Sequence, residues 1–166
     1  MKAAIILASI TGNTREAAEI ICGFLEEAGV EPAMYTAEEF SVEQLEDLDL
    51  AVVATYTWGD GEIPNEMVPV FRAFEEGDTK GLVTGVTGTG DSFYPHFCGA
   101  VDRFRDMLYV QSLLAATLKI ELSPQQKDRE RCRKFVQSLL EKSEVNQAQP
   151  VKEKLPGAGC DMGFQH

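Results

Sequence analysis

The sequence predicts an α/β protein, a three-layer sandwich whose five-stranded parallel sheet has the strand order 2-1-3-4-5 and carries helices on both faces. Three observations indicate this fold class. Short apolar runs have the length and continuity of strands that are buried on both faces. Segments with the apolar periodicity of a helix alternate with these runs. Polar loops that contain glycine follow the first, third and fourth strands, at the ends where such sheets bind ligands.

The first two strands flank the first helix. Ala3–Leu7 is a short apolar run, and apolar residues in the segment 17–28 recur at the spacing of one helix face. Gly29 is a typical helix stop. Pro32–Tyr35 then predicts a short strand, because the missing N–H of a proline matters least at the start of a strand.

The middle of the chain contains two further strands. Residues 38–48 are acidic and weakly helical, which predicts a surface connection. Leu50–Ala54 is the third apolar run, and the residues 67–74 after it have helical spacing up to a stop at Gly77. Leu82–Thr87 is the predicted fourth strand.

The last third of the chain predicts one strand between two helices. Apolar residues recur at helical spacing over 97–108, and Ala115–Ile120 is the predicted fifth strand. Ser123 is expected to cap the last helix, with Pro124 at the first helical position and Gln126 completing a capping box.

Length and charge restrict the domain organisation and the partners. The 166 residues suffice for one domain, and because the last apolar stripe ends near residue 142, we expect a domain over 1–142 and a mobile C-terminal tail over 143–166. A net charge of −12 argues against nucleic acid and membranes as partners and favours basic protein surfaces. No apolar run has the length of a membrane span, and the four cysteines form no C-x-x-C pair, so we expect a cytoplasmic protein with reduced thiols.

The loop after the first strand suits a phosphate group. Residues 9–14 contain three hydroxyls, and the helix that begins there has unpaired N–H groups and a partial positive charge. The nucleotide-triphosphate loop is excluded because no lysine follows Gly12, and the dinucleotide fingerprint is excluded because the loop has a single glycine. On these residues alone, a plain strand-to-helix turn explains the loop equally well.

The other two loops each carry one prominent aromatic ring beside glycine and aspartate. Trp58 lies in the loop 55–64, and Tyr94 lies in the loop 88–95. For either ring alone, packing on the rim is the alternative explanation. The predicted strand order brings all three loops to one crevice, so two rings above a phosphate-binding turn favour a flat aromatic ligand with a phosphate tail.

Three motifs carry a resemblance to a known family: Ser-Ile-Thr-Gly-Asn-Thr at 9–14, Thr-Tyr-Thr-Trp-Gly-Asp-Gly at 55–61 and Gly-Thr-Gly-Asp-Ser-Phe-Tyr-Pro-His-Phe-Cys-Gly-Ala-Val-Asp at 88–102. Over about residues 2–142 the chain resembles bacterial flavodoxins of the short-chain type, which implies the flavodoxin-like fold. The resemblance implies non-covalently bound FMN, with its phosphate on residues 9–14 and its ring between Trp58 and Tyr94. The implied cofactor-binding residues are Ser9, Ile10, Thr11, Gly12, Asn13, Thr14, Thr55, Tyr56, Thr57, Trp58, Gly59, Asp60, Thr87, Gly88, Thr89, Gly90, Asp91, Tyr94, Phe97 and Cys98.

The same resemblance implies a low-potential one-electron carrier that shuttles electrons between redox enzymes and catalyses no substrate reaction of its own. Gly59 reaches a positive φ at little cost, so its peptide is suited to stabilising the neutral semiquinone of the flavin. Carboxylates on or beside the ring-binding loops are expected to lower the potential of the second electron; they are Asp60, Glu62, Glu66 and Asp91. We expect a monomer that docks the basic surfaces of an NADPH-dependent flavodoxin/ferredoxin reductase and of acceptor oxidoreductases.

The chain departs from the family pattern at two places before its tail. Arg15 stands where an acidic residue is common, and the segment 109–114 replaces a glycine-containing turn. No metal site is predicted, and His96 is expected to be a plain rim residue. The alternative functions are a flavin-dependent quinone or nitro-group reductase, a signalling receiver, and a dedicated activator flavoprotein of ribonucleotide reductase; the receiver lacks its paired acids after the first strand.

Overall fold

The computed structural model describes residues 1–149 and contains one parallel sheet. The strands are β1 Ala3–Leu7, β2 Ala33–Thr36, β3 Leu50–Tyr56, β4 Val83–Gly90 and β5 Leu113–Glu121. Their order is β2-β1-β3-β4-β5, and every neighbouring pair is parallel. The predicted fold class is therefore confirmed, including the reversal of strand order between β1 and β3.

Helices cover both faces of the sheet. They are α1 Asn13–Glu27, α2 Val68–Glu76, α3 Gly99–Gln111 and α4 Gln126–Ala148, with short 3₁₀ turns at Val42–Asp47 and Asn65–Met67. The helices α1 and α4 pack on one face, and α2 and α3 pack on the other. None of the helices within residues 1–149 combines the length and the apolar character needed to cross a membrane.

Side-chain alternation along the strands builds two cores. Ile5 and Val52 point toward α1 and α4, whereas their neighbours Ile6 and Val53 point toward α2 and α3. All four side chains are fully buried. A continuous apolar run is therefore what each central strand requires, because both of its faces are covered.

The structure corrects the start of the fifth strand. β5 begins at Leu113, not at Ala115, since the N–H of Leu113 donates to the carbonyl of Leu82 (2.9 Å). The register between β4 and β5 shifts at Thr84/Gly85, which accommodates the early start. The sequence pattern was ambiguous here because β5 is an edge strand whose first residues are only half-buried.

The structure also corrects the cap of α4. Its N-cap is Gln125, whose N–H donates to the carboxylate of Asp128 (2.9 Å), so the predicted cap at Ser123 with Gln126 is wrong. Ser123 instead accepts a hydrogen bond from the side chain of Gln125. The helix starts later because Leu122 is in the left-handed region (φ 54°) and the chain must turn before it can enter the helix.

Asp128 provides a test of this cap. Burial by itself raises the pKa of Asp128, but the N–H of Gln125 and the Arg131 guanidinium (2.8 Å) together hold the pKa below its usual value. Asp128→Asn is expected to lower the free energy of unfolding by about 1 kcal/mol at pH 7. Because the folded-state pKa is depressed, the contribution is present above about pH 4 and is lost as the pH falls through the folded pKa. Urea unfolding of both proteins between pH 7 and pH 2.5 checks this; a difference that does not shrink as the pH falls below about 4 would contradict the account.

The last helix continues beyond the predicted domain boundary. α4 ends at Ala148, and within it Ser143 is buried and donates to the carbonyl of Leu139 (2.9 Å). The predicted boundary between residues 142 and 143 therefore falls inside a helix. The helix continues past the last apolar stripe because the residue buried there, Ser143, is polar and satisfies its hydroxyl within the helix. The remainder of the expected mobile tail, residues 150–166, lies outside the described residues.

Candidate functional site

The three predicted loops meet in one crevice at the carboxyl ends of β1, β3 and β4. The crevice has a volume of about 450 Å³. The residues that line it are Ile10, Thr11, Asn13, Tyr56, Thr57, Trp58, Gly59, Thr89, Gly90, Asp91, Tyr94, His96, Cys98 and Leu122. All except His96 and Leu122 are among the predicted site residues, so the convergence of the loops follows the predicted strand order.

The first loop turns into α1 through a left-handed glycine. Gly12 is the N-cap of α1 with φ 92°, a conformation in which a side chain would be strained. The Ser9 hydroxyl accepts hydrogen bonds from the N–H groups of Gly12 (3.1 Å) and Arg15 (3.3 Å), which holds the loop closed. A hydrogen bond between the buried hydroxyls of Thr14 and Thr89 (2.7 Å) ties this turn to β4.

The second loop is a closed turn that presents Trp58 at the rim. Trp58 and Glu62 exchange two backbone hydrogen bonds of 2.8 Å each, so the residues between them form a tight reversal. Gly59 (φ 52°) and Gly61 (φ 91°) supply the positive φ values that this reversal needs. The Trp58 side chain is about half exposed (52%), with one part in the crevice and the other in solvent.

The first residues of α3 pack against the second loop. The N–H of Ala100 donates to the Thr57 hydroxyl (3.2 Å). A Cβ on Gly99 would lie 2.7 Å from Cα of Gly61, so only glycine allows the helix to approach this closely. The second loop therefore depends on a residue that follows the third loop in sequence.

The third loop begins later than predicted, because β4 extends to Gly90. The Asp91 carboxylate accepts the N–H of Phe93 (2.9 Å), and the carbonyl of Asp91 accepts the N–H of Tyr94 (3.1 Å). This turn presents Tyr94 at the rim, 66% exposed. The loop ends at Cys98, which is buried in the left-handed region (φ 51°) and precedes α3.

Eight predicted site residues do not line the crevice: Ser9, Gly12, Thr14, Thr55, Asp60, Thr87, Gly88 and Phe97. Thr55 and Thr87 are fully buried, and Thr87 donates to the carbonyl of Leu118 (2.9 Å) instead of reaching the cavity. Strand side chains alternate in direction, so only some of each motif points at the crevice. For all the predicted residues, contact with FMN remains a prediction.

Two lining residues are not among the predicted cofactor-binding residues. Leu122 follows β5, and its N–H donates to the carbonyl of Gly90 (2.7 Å), which brings a fourth strand end to the crevice. No sequence signal marks an apolar residue in such a turn. His96 is at the rim, with Nε2 3.7 Å from Oδ1 of Asp60, and its proximity to the aromatic Tyr94 was the available signal.

The crevice is neutral to acidic. No lysine or arginine of residues 1–149 lines it. Burial and a hydrogen bond to Glu66 raise the pKa of Tyr56 to about 12, and burial raises the pKa of the Cys98 thiol to about 11, so both groups are protonated at neutral pH. The carboxylates of Asp60 and Asp91 lie on the loops around the opening.

The residues present fit FMN. A phosphate would meet the N-terminus of α1, where Thr11 and Asn13 line the cavity and the first turn of the helix has N–H groups with no partner inside the helix. A flat ring would meet Trp58 and Tyr94 on two different loops. Because Gly59 and Gly90 carry no side chains, the loop backbones can approach the ring closely.

Comparison with known proteins identifies the family to which this chain belongs. The family model for flavodoxin matches residues 5–135. Probable flavodoxin 1 of Bacillus subtilis (strain 168) is 37% identical over 142 residues, which cover 84% of this chain and 90% of that protein.

Two solved structures illustrate the similarity of the fold. The flavodoxin of Streptococcus pneumoniae TIGR4 has a TM-score of 0.79 at 36% identity, covering 86% of this chain and 99% of that one. A short-chain flavodoxin associated with a PDU bacterial microcompartment has a TM-score of 0.82 at 31% identity, with the same two coverages. In this chain β5 is one continuous strand, and only residues 122–125 separate it from α4. The chain therefore belongs to the flavodoxin family, whose members bind FMN and carry electrons, and it is of the short-chain bacterial type.

Proposed function

We propose that this chain is a low-potential one-electron carrier that moves electrons between redox enzymes and has no substrate reaction of its own. The observation that carries the proposal is the closed turn at residues 58–62, in which Gly59 holds a positive φ at the rim of the crevice. Bound FMN supplies redox chemistry in one-electron steps. Glycine reaches both signs of φ at little cost, so the carbonyl of Gly59 is suited to accepting a hydrogen bond from the ring.

The carboxylates around the opening favour a low potential. Asp60 and Glu62 are exposed on the second loop, and Asp91 lies on the third. A carboxylate about 10 Å from an added electron opposes it by roughly 0.4–1.7 kcal/mol before screening by salt. The absence of lysine and arginine from the lining of the described cavity leaves this repulsion uncompensated there.

The partners of this carrier are redox enzymes with basic docking surfaces, an NADPH-dependent flavodoxin/ferredoxin reductase as donor and oxidoreductases as acceptors. A net charge of −12 supports this choice, because long-range attraction steers an acidic protein toward a basic surface. The same charge repels a second copy, which supports a monomer. Free thiols at Cys22, Cys98 and Cys132 suit a cytoplasmic protein.

A stepwise anaerobic reductive titration of the FMN-loaded protein tests the proposal. We expect the yellow protein to turn blue, as the neutral semiquinone accumulates, and then to become pale. A direct change from yellow to pale, with no blue stage, would instead indicate a two-electron reductase. The measurement is the absorbance of the blue form against the number of electrons added.

Gly59→Ala is expected to destabilise the semiquinone by about 1 kcal/mol, roughly the contribution of one neutral hydrogen bond. The reason is that alanine disfavours the positive φ that Gly59 has in this turn. The two one-electron potentials should approach each other, each moving by about 40 mV. Gly81→Ala is the matched control, because a Cβ there meets nothing within 4 Å. Unchanged separation of the potentials in Gly59→Ala would contradict the assigned role.

A further inference from the structure

We infer that Lys119 is a positioning residue for the FMN crevice, which it does not line, and that it acts by holding the backbone at Phe97–Cys98. Lys119 lies on the edge strand β5, opposite Gly88 of β4. Its ammonium group donates to the carboxylate of Asp102 (2.8 Å) and to the carbonyl of Phe97 (3.3 Å). It therefore joins β5 to the junction between the third loop and α3.

The backbone at this junction needs external support. Cys98 has φ 51°, a left-handed conformation that costs a residue with a side chain roughly 1–2 kcal/mol. The hydrogen-bond ladder of α3 starts only at the carbonyl of Cys98, which accepts the N–H groups of Val101 (3.0 Å) and Asp102 (3.3 Å). The carbonyl of Phe97 precedes this ladder, so a side-chain donor is a suitable partner for it.

The junction is connected to two walls of the crevice. Cys98 itself lines the cavity, and its Sγ and N would lie 3.0 and 3.3 Å from a Cβ on Gly90. The two residues after it, Gly99 and Ala100, contact the second loop at Gly61 and Thr57. A displacement of the Phe97 carbonyl would therefore move both the floor of the crevice and the support of the Trp58 turn.

Contacts with two helices, α4 and α3, restrict the position of Lys119. Its carbonyl accepts a hydrogen bond from the Arg131 guanidinium of α4 (2.8 Å), which also pairs with the buried Asp128 (2.8 Å). On the other side, Asp102 also pairs with Arg105 (2.9 Å). The Lys119 side chain is about 30% exposed and lies 5.9 Å from the centre of the Phe97 ring, so its methylenes and its ammonium group are both restricted.

Two explanations of a Lys119 effect can be separated by substitution. A role in position requires a hydrogen-bond donor of the right length, whereas a role in net charge requires only that the chain keep the same number of cations. Lys119→Met removes the donor and the charge, and Lys119→Arg keeps both. Lys134→Met is the matched control, because it removes the same charge from an exposed position on α4.

The test uses the full chain with FMN and with riboflavin, which lacks the phosphate. Dissociation constants come from the quenching of flavin fluorescence. In Lys119→Met we expect both constants to rise about tenfold, with their ratio unchanged, because the ring-binding walls move and the phosphate turn at residues 9–14 does not. Lys119→Arg should stay within about threefold of the wild type, and Lys134→Met should not change.

Hydrogen exchange of the flavin-free protein gives a readout independent of binding. The amides of Gly99 and Ala100 should exchange faster in Lys119→Met than in Lys134→Met. If Lys119→Met does not fold, Lys119→Gln replaces it in the test, because its amide is a donor on a shorter side chain. We expect its loss of flavin affinity to lie between none and the tenfold loss expected for Lys119→Met.

Three results would overturn the inference, which rests on FMN binding at the crevice. Equal affinities in Lys119→Met and the wild type would show that the Phe97 carbonyl needs no such donor. Equal losses in Lys119→Met and Lys134→Met would assign the effect to net charge. If the wild-type protein binds neither flavin, the crevice is not a flavin site. This failure of the proposed function is detected before any variant is compared, so it is distinguishable from a failure of the role of Lys119.

Discussion

Gly88→Ala is expected to lower the free energy of unfolding by more than about 2 kcal/mol, because overpacking against backbone cannot be relieved by a rotamer change. A Cβ on Gly88 would lie 2.3 Å from the carbonyl oxygen of Thr55 and 2.4 Å from Cγ2 of Val101. The Thr55 carbonyl belongs to the adjacent strand, so β3 and β4 would have to separate where both reach the crevice. Urea unfolding of the flavin-free protein measures the loss.

Gly23→Ala is the control for this prediction. Gly23 lies inside α1, and a Cβ there meets nothing within 4 Å. Replacing a helical glycine by alanine stabilises a helix by roughly 0.5–1 kcal/mol, so this variant should unfold at a higher urea concentration than the wild type. If the two variants had the same stability, the close approach of β3 to β4 would not be what excludes a side chain at Gly88.

Replacement of Trp58 and Tyr94 together by alanine is expected to raise the dissociation constant of FMN by about 10- to 100-fold. The two rings are the large aromatic side chains at the rim of the crevice on the second and third loops. Each stacked pair contributes roughly 0.5–1.5 kcal/mol beyond the area it buries, and each 1.4 kcal/mol changes affinity tenfold. Fluorescence quenching of FMN gives the constant for each single variant and for the double variant.

Tyr109→Ala controls for the loss of an exposed aromatic ring. Tyr109 is 76% exposed near the C-terminal end of α3, at the opposite end of the sheet from the crevice. Its replacement should leave FMN affinity unchanged. Because the Trp58 and Tyr94 side chains are half or more exposed, their removal should also change the stability of the flavin-free protein little. Undiminished affinity in the double variant would mean that the ring binds elsewhere.

Most of the candidate site could be predicted because its signals are local. The sequence predicts that Gly59 can reach a positive φ at little cost, and the structure gives φ 52°. The hydroxyls of the first loop follow an apolar strand and precede a helix, which is enough to place them at the N-terminus of α1. Once the strand order is known, parallel topology requires the loops to meet at one edge.

The remaining features depend on residues that are distant in sequence. Leu122 enters the crevice through a hydrogen bond to Gly90, and Gly99 is required by the backbone of Gly61. The cap of α4 at Gln125 depends on where β5 releases the chain. A local pattern contains no information about these contacts, since each partner becomes a neighbour only after the sheet has formed.

By itself, then, the sequence determined the sheet, its order, the three loops and the class of ligand, because apolar runs, glycines and hydroxyls act over a few residues. Tertiary structure alone decided which side chains face the crevice, where β5 and α4 begin, and that Lys119 reaches the carbonyl of Phe97. The physical reason is that burial patterns specify which face of an element is covered, whereas hydrogen bonds between elements specify how the covered elements are placed.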